Sequence, residues 1–437
     1  MRIKNWTFPY AFGYVIVTIG MNTFYKRHKV VGAENVPKDK PIMFCANHQN
    51  AFMDPVLIAV NLSKPTSYLV RADIFKKKIV AKIFYSINMQ PIYRERDGVN
   101  TKEANQKTFD YCFDALADNQ PVIIFPEGNH GKFKTLRSVK KGFARIAKGA
   151  EVKHGDIDVQ VIPIGLNYSD HSNMGAEMLL IFGEPIPIDQ YVKDIDAPRE
   201  INEMVAVVSD AMSEIIIDIQ DGDHYQFIHE MMLMFDAEIR ELYVEGSNDL
   251  YQKFKAQKKF IANAEAWIKS EEEVSNDAMI TFHADIEKMG LRYWLFSKES
   301  HSAALSVLAL ILLFPFHLYG VINNYLPYKI PANFVKKVKD LQFHSSLKMA
   351  LGVVCFGLLW LIQILIVGLV TDDGIYLYYA ASLPASAYLS YHYWIRLIKT
   401  QGQLKYNKLS SKKDAGFLQL KSKYAAYKAT FEKITTS

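Results

Sequence analysis

An apolar stretch, Phe8 to Met21, opens the chain, and from about Pro41 to Pro187 short apolar runs alternate with amphipathic stretches. That alternation predicts an α/β domain, in which buried strands are covered by the helices between them. Ile42 to Ala46, Pro121 to Phe125, Val159 to Leu166 and Met178 to Phe182 read as buried strands. Thr101 to Asp118 carries helical periodicity through Ala104, Phe109, Cys112, Phe113 and Leu116. Pro55 directly after Asp54 predicts a helix start with Asp54 as its cap. From about Arg199 to Ser300 the pattern changes to long mixed-charge segments poor in Gly and Pro. Val205, Val208, Met212, Ile215 and Ile216 share one helical face, Phe227, Met231, Leu233 and Phe235 contribute to another, and the methionines read as core.

Three uncharged runs follow. Ser302 to Tyr328 spans about 27 residues and Met349 to Thr371 about 23, both beyond the ~20 needed to cross a bilayer. Gly374 to Ile395 is the third, rich in Tyr and closing on Tyr393-Trp394. Lys329, Lys336, Lys337, Lys339 and Lys348 precede the second run, Asp372 and Asp373 separate the second from the third, and the tail is basic. The positive-inside rule then predicts that the loop and the tail face the cytoplasm, the side on which reduced thiols would place the α/β domain. On that assignment the first run must enter and leave by one face, with Pro315 as the candidate point of reversal. The N-terminal stretch is too short to span and no small-residue cleavage site follows, so an interfacial helix is expected, with a buried core helix as the alternative.

The expected organisation is therefore an interfacial or partly inserted helix over 1–29, an α/β catalytic domain over 30–198 and a helical linker over 199–300. A membrane region follows over 301–396, with 302–328 re-entrant and 349–371 and 375–395 a spanning hairpin, and then a basic cytoplasmic tail over 397–437. The net charge of +5 over 437 residues is small, so composition argues against nucleic acid as a partner. Cys45, Cys112 and Cys355 are odd in number and far apart, which fits reduced thiols rather than a disulfide framework. His229-Glu230 lacks the second His of a zinc site, and neither a metal nor a cofactor is expected.

The candidate chemistry sits at two predicted strand ends. After the first comes the turn Asn47-His48-Gln49-Asn50-Ala51-Phe52-Met53-Asp54. A histidine is the usual general base near neutral pH, and a carboxylate on its far nitrogen fixes its tautomer and stabilises the imidazolium. The six-residue step from His48 to Asp54 does not suit one face of a regular helix, so His48 belongs to the turn ahead of it. No Gly-x-Ser-x-Gly elbow is present, so the hydroxyl to be activated must arrive with the substrate. After the second strand come Phe125-Pro126-Glu127-Gly128 and then Lys132, Lys134, Arg137, Lys140, Lys141, Arg145 and Lys148, with no acidic residue before Glu151. This run reads as a phosphate-binding surface or as a solvated helix face. Gly128 and Gly131 permit close backbone approach, but their spacing is too short for a P-loop. Arg94, after another short apolar segment, is a candidate guanidinium for the same pocket or an ordinary surface residue.

Four blocks in order, Asn47-His48 with Asp54, the segment ending in Arg94, Phe125-Pro126-Glu127-Gly128, and Val161-Ile162-Pro163-Ile164, resemble the glycerolipid acyltransferase superfamily of glycerol-3-phosphate and 1-acylglycerol-3-phosphate acyltransferases. The resemblance covers roughly residues 30 to 190. Five residues separate His48 from Asp54 where the common bacterial pattern has four, and Asn129-His130 stands where Thr-Arg is usual. The longer spacing resembles the fungal-type glycerol-3-phosphate/dihydroxyacetone-phosphate acyltransferases and tilts the reading toward sn-1 acylation. The resemblance implies that His48 deprotonates a glycerol-phosphate hydroxyl while Asp54 holds the ring, and that the hydroxyl attacks a thioester of acyl-CoA or acyl-carrier protein. It further implies that Asn47, Glu127 and Gly128 shape the acceptor pocket, that Arg94 with Lys134 or Arg137 holds phosphate, and that backbone N–H groups around Gly128 serve the oxyanion. A different lysolipid or an N-acylated amino acid as acceptor, and a catalytically silent membrane scaffold binding acyl-CoA or lysolipid, remain the competing readings.

Overall fold

The structure is a computed structural model describing residues 8–62, 64–94, 98–270, 274–298, 302–371 and 374–436. The charged start Met1 to Lys4 and the pair Asp372 and Asp373 lie outside the described residues. The chain forms two compact units, Met1–Asp218 with Val338–Met349, and Ile219–Lys337 with Ala350–Ser437.

The first unit is an α/β domain. In chain order it comprises helix α1 (Phe8–Phe24), strands β1 (Arg27–Val31) and β2 (Ile42–Ala46), α2 (Met53–Val60), β3 (Ser67–Arg71), α3 (Lys78–Ser86), β4 (Met89–Ile92), α4 (Thr101–Ala117) and β5 (Val122–Ile124). Helix α5 (Gly142–His154), strands β6 (Gln160–Tyr168), β7 (Glu177–Phe182) and β8 (Ile186–Pro187), and helices α6 (Ile188–Tyr191) and α7 (Pro198–Glu214) complete it. The sheet order is β1-β7-β6-β2-β5-β3-β4, with β8 beside β6. All pairings are parallel except β6 with β7 and β6 with β8. Strand β2 lies at the centre with all five residues buried, as a strand covered on both faces requires. Its side chains alternate between two cores: Ile42, Phe44 and Ala46 pack with Leu57 and Ile58 of α2 and with Met21 and Phe24 of α1. Met43 and Cys45 face Cys112, Leu116, Phe143, Ile146 and Met204 of α4, α5 and α7.

Helix α7 corrects the expected domain boundary at 198. Its stripe Ile201, Met204, Val208 and Met212 is buried on the sheet, so the α/β domain continues to Asp218. The turn after α7 is fastened by Asn167, whose Nδ2 donates to the carbonyl of Ile215 at 3.0 Å and whose Oδ1 accepts from Ile217 N at 2.8 Å. Gly165 passes so close beneath that a Cβ there would sit 2.1 Å from the Ile215 carbonyl oxygen. Replacing Gly165 by Ala is therefore expected to lower stability by about 2–3 kcal/mol, read as a fall in the thermal unfolding midpoint.

Helix α1 has one buried face and one exposed apolar face. Tyr10, Met21 and Phe24 are buried in the domain core, while Phe8, Phe12, Val15 and Ile19 form an exposed apolar stripe on the other face.

The second unit is helical: α8 (Tyr225–Met234), α9 (Asp236–Val244), α10 (Leu250–Ile268), α11 (Asn276–Lys288), α12 (Ala304–Val335), α13 (His344–Val370, whose first turn belongs to the α/β unit), α14 (Ile375–Ser411) and α15 (Ala415–Thr436). Two helices among the described residues, Ala304–Val335 and Leu341–Val370, are long and apolar enough to cross a membrane. The tyrosine-rich run expected as a third crossing is helical, but its helix α14 does not reach that apolarity, and the hairpin of 349–371 with 375–395 loses that support. Nor does the chain reverse at Pro315. Helix α12 runs on through Pro315, Pro327 and Pro331, since a proline inside an apolar helix removes one N–H without breaking it where neighbouring helices support it. Such a neighbour is α14: a Cβ on Gly320 would come 2.6 Å from the Ser386 carbonyl oxygen, and Asn324 Nδ2 donates to Ser386 Oγ at 3.1 Å. The region expected to be a basic tail is helical in its described part. Phe417, Leu420, Tyr424, Phe431 and Ile434 of α15 are buried, with Phe431 stacked on Phe235 at 4.7 Å and on Phe260 at 5.7 Å.

Candidate functional site

Strands β2 and β5 are parallel neighbours, with Cys45 in register with Ile124, so the chain leaves both at one edge of the sheet. Asn47-His48 and Phe125-Pro126-Glu127 therefore emerge side by side at the carboxyl ends of central strands, where open α/β sheets bind ligands. Asn47 ties this end of β2 to β6, its Nδ2 donating to Leu166 O at 3.0 Å and its Oδ1 accepting from Leu166 N at 2.7 Å. Its amide is buried and bonded to backbone.

His48 Nδ1 lies 2.8 Å from Asp54 Oδ2, and the ring stacks on Phe125 with centroids 4.2 Å apart. The side chain is 17% exposed, and Asp54 is fully buried. Asp54 Oδ2 also accepts from the backbone N–H groups of Gln49 at 2.9 Å and Asn50 at 2.8 Å. Its Oδ1 accepts from the Tyr168 hydroxyl at 2.6 Å. Asp54 thus lies inside the first turn of α2 and binds the turn behind it; the helix starts at Met53, its cap position is Phe52, and no side chain caps it. The expected N-cap role is corrected accordingly. Burial, and then the charge of Asp54, push the Tyr168 phenol well above its ordinary range, which keeps it a donor to the carboxylate. With Nδ1 committed to Asp54, Nε2 is the nitrogen of His48 suited to a substrate hydroxyl.

Glu127 is buried and bridges the two motifs. Its Oε1 accepts from the backbone N–H of His48 at 2.7 Å, and its Oε2 accepts from Arg137 Nε at 2.7 Å. Burial raises its carboxyl above the usual range, with the Arg137 guanidinium and the His48 N–H opposing the shift. Both oxygens are engaged by protein, so Glu127 organises the site. Arg137 also donates from Nη1 to His130 O at 3.2 Å, while its Nη2 is buried and has no hydrogen-bond partner. That nitrogen is a donor for a bound anion. Gly128 has φ +71°, a conformation that favours glycine, and its N–H donates to Phe125 O at 3.0 Å. Gly131 N likewise donates to His48 O at 3.0 Å, so neither glycine N–H is available for an oxyanion.

The basic run divides. Lys134 Nζ donates to the Tyr168 carbonyl, Lys140 and Arg145 are exposed, and Lys148 turns inward to Glu151 at 3.1 Å and to Asp189. Arg94 is half-buried just beyond β4, which is separated from β2 by the two strands β5 and β3. Sequence reasoning missed Tyr168, although it ends the strand that carries the Val161–Ile164 block. It also missed His130 as part of the site: its ring stands edge-on to His48 at 5.6 Å, and its Nε2 lies 2.7 Å from Asp340 Oδ2. Asp340 arrives from far along the chain, and nothing near it in sequence signals this.

His48 with the buried Asp54 behind it thus stands beside the Glu127–Arg137 pair at adjoining strand ends. Residues 27–167 match the family described as Acyltransferase. Glycerol-3-phosphate O-acyltransferase 2 of Saccharomyces cerevisiae is 31% identical over 134 residues, which is 29% of this chain and 18% of the yeast protein. A 1-acyl-sn-glycerol-3-phosphate acyltransferase of Chlamydomonas reinhardtii is 30% identical over 144 residues, 33% of this chain and 39% of the algal one. The chain thus spans well under half the length of these relatives. The crystal structure of the 1-acyl-sn-glycerophosphate acyltransferase of Thermotoga maritima is 20% identical, covering 46% of this chain and 78% of its own, with a TM-score of 0.34.

Proposed function

We propose that this chain is a membrane-held O-acyltransferase that moves a fatty acyl group from acyl-CoA or acyl-carrier protein to glycerol 3-phosphate or its 1-acyl derivative. The observation that carries the reading is the His48–Asp54 pair at 2.8 Å, set beside Glu127 and Arg137 on the adjoining strand end. The acceptor hydroxyl gives its proton to His48 Nε2 as its oxygen bonds to the thioester carbonyl carbon. The C–S bond then breaks, and the imidazolium returns the proton to the leaving thiolate, giving an ester and a free thiol. Asp54 holds the ring and stabilises its protonated form, and positioning both substrates supplies much of the remaining acceleration. Arg137, through its free Nη2, would meet the acceptor phosphate, with Lys134 and Arg94 on the approach. Helices α12 and α13 would anchor the chain, and the exposed stripe of α1 would rest on the bilayer. The Lys-rich stretch between α12 and α13 supports a cytoplasmic catalytic domain.

The test is turnover of membranes containing the full chain with labelled acyl-CoA and a panel of acceptors. Glycerol 3-phosphate or 1-acylglycerol 3-phosphate is expected to be acylated fastest. Preference for an uncharged lysolipid or an N-acylated amino acid would move the function to that acceptor, and binding without any turnover would leave a scaffold.

A further inference from the structure

We propose that the segment Val338–Met349, which lies in the chain between the two long apolar helices, forms a wall of the acyltransferase site, with Asp340 and Phe343 as positioning residues for the acceptor. This rests on the acyl-transfer reading above and concerns residues well beyond the stretch that matches the family.

The segment folds with the α/β unit and not with the helical one that flanks it in sequence. Separate anchors hold it there. Asp340 Oδ2 lies 2.7 Å from His130 Nε2, the Ser345 hydroxyl donates to Asn50 Oδ1, and Lys348 Nζ donates to Ser172 O and Asn173 Oδ1, both at 3.1 Å. Phe343 packs edge-on to His130 at 5.3 Å and to Phe52 at 5.6 Å. Internal bonds from His344 Nε2 to Val338 O at 2.8 Å, and from Gln342 N to Asp340 Oδ1 at 3.2 Å, shape the segment itself.

These contacts converge on one side chain. His130 sits between Gly128 and Gly131, in backbone with the freedom to swing, yet its side chain is only 10% exposed because Asp340 and Phe343 close over it. Its ring is 5.6 Å from that of His48. An acceptor whose hydroxyl meets His48 Nε2 has the rest of its few heavy atoms beside His130. With Nε2–H of His130 donating to Asp340, its Nδ1 is an acceptor that is directed rather than free to turn, and an acceptor nitrogen fixed in advance for a substrate hydroxyl binds at lower entropic cost. The site wall is thereby supplied by chain that continues directly into an apolar helix.

The experiment uses the full-length chain in phospholipid vesicles, with acyl-CoA and glycerol 3-phosphate varied independently, for wild type, H130A, D340A, D340N, F343A and the double variant H130A/D340A. H130A, D340A and F343A are expected to raise the acceptor KM about tenfold while the donor KM stays unchanged. The double variant is expected to be no worse than either single one, since Asp340 acts through His130. D340N, which keeps an acceptor oxygen, is expected to recover part of the loss. An acceptor KM at the wild-type value in D340A and F343A would overturn the proposal. So would additive losses in the double variant, or equal changes in both KM values accompanied by a lowered unfolding midpoint. A wild-type chain inert toward every acceptor would instead overturn the acyl-transfer reading, and this inference with it.

Discussion

His48→Ala is expected to cut acyl transfer by about 10²- to 10⁴-fold while leaving the fold in place. The proposed chemistry loses its base for the acceptor proton, because Nε2 is the ring nitrogen that Asp54 leaves available. The structural cost is small by comparison. The ring stacks on Phe125 and is partly exposed, and the contact that fastens Glu127 to this loop runs through the His48 backbone N–H, which alanine retains. Steady-state assay beside a thermal unfolding curve separates the two effects. Activity near wild type would remove His48 from the mechanism, and loss of both activity and fold would leave its role to be read from a substitution such as His48→Gln.

Asp54→Asn and Asp54→Ala are expected to fail for different reasons. In Asp54→Asn the four donors that converge on the carboxylate, from His48, Gln49, Asn50 and Tyr168, meet a group with one acceptor oxygen and an NH₂. An amide that turns its NH₂ to His48 would move the ring proton to Nε2, the wrong tautomer for a base. A loss of about 10³- to 10⁴-fold in kcat is expected on that ground. Asp54→Ala leaves the buried Tyr168 hydroxyl and two backbone N–H groups unmatched, and a stability loss of about 3–5 kcal/mol is expected. Chemical denaturation of both variants checks the ordering. Equal stability in the two would contradict the four-donor picture of Asp54.

The parts of the fold legible in the sequence were those in which one physical signal dominates. Strand β2 is an uninterrupted apolar run between Pro41 and Asn47, and α4 shows a clear helical stripe, so both matched their expected spans within a residue or so. Edge strand β1, Arg27-His28-Lys29-Val30-Val31, has no such pattern because solvent takes part of it, and only its pairing with β7 makes it a strand. Proline misled in α12, where three prolines sit inside one helix supported by its neighbours. In the site, His48, Asp54, Glu127 and Arg137 were legible and are brought together. The backbone hydrogen bonds that occupy the Asn47 amide and the Gly128 N–H were not legible, since they arise from the neighbouring strand and turn. Asp340 and Phe343 carry no local signal, since their part in the site comes from tertiary contacts alone.

The central claim is direct acyl transfer to a glycerol-phosphate hydroxyl with His48 as base. Its most direct test is the full-length chain in vesicles with labelled acyl-CoA and glycerol 3-phosphate or 1-acylglycerol 3-phosphate, beside His48→Ala at equal amount and equal unfolding midpoint. Labelled lysophosphatidate or phosphatidate from the wild type, with turnover at background in the variant, is the expected result. Product formed equally by both, or by neither with either acceptor, would contradict it.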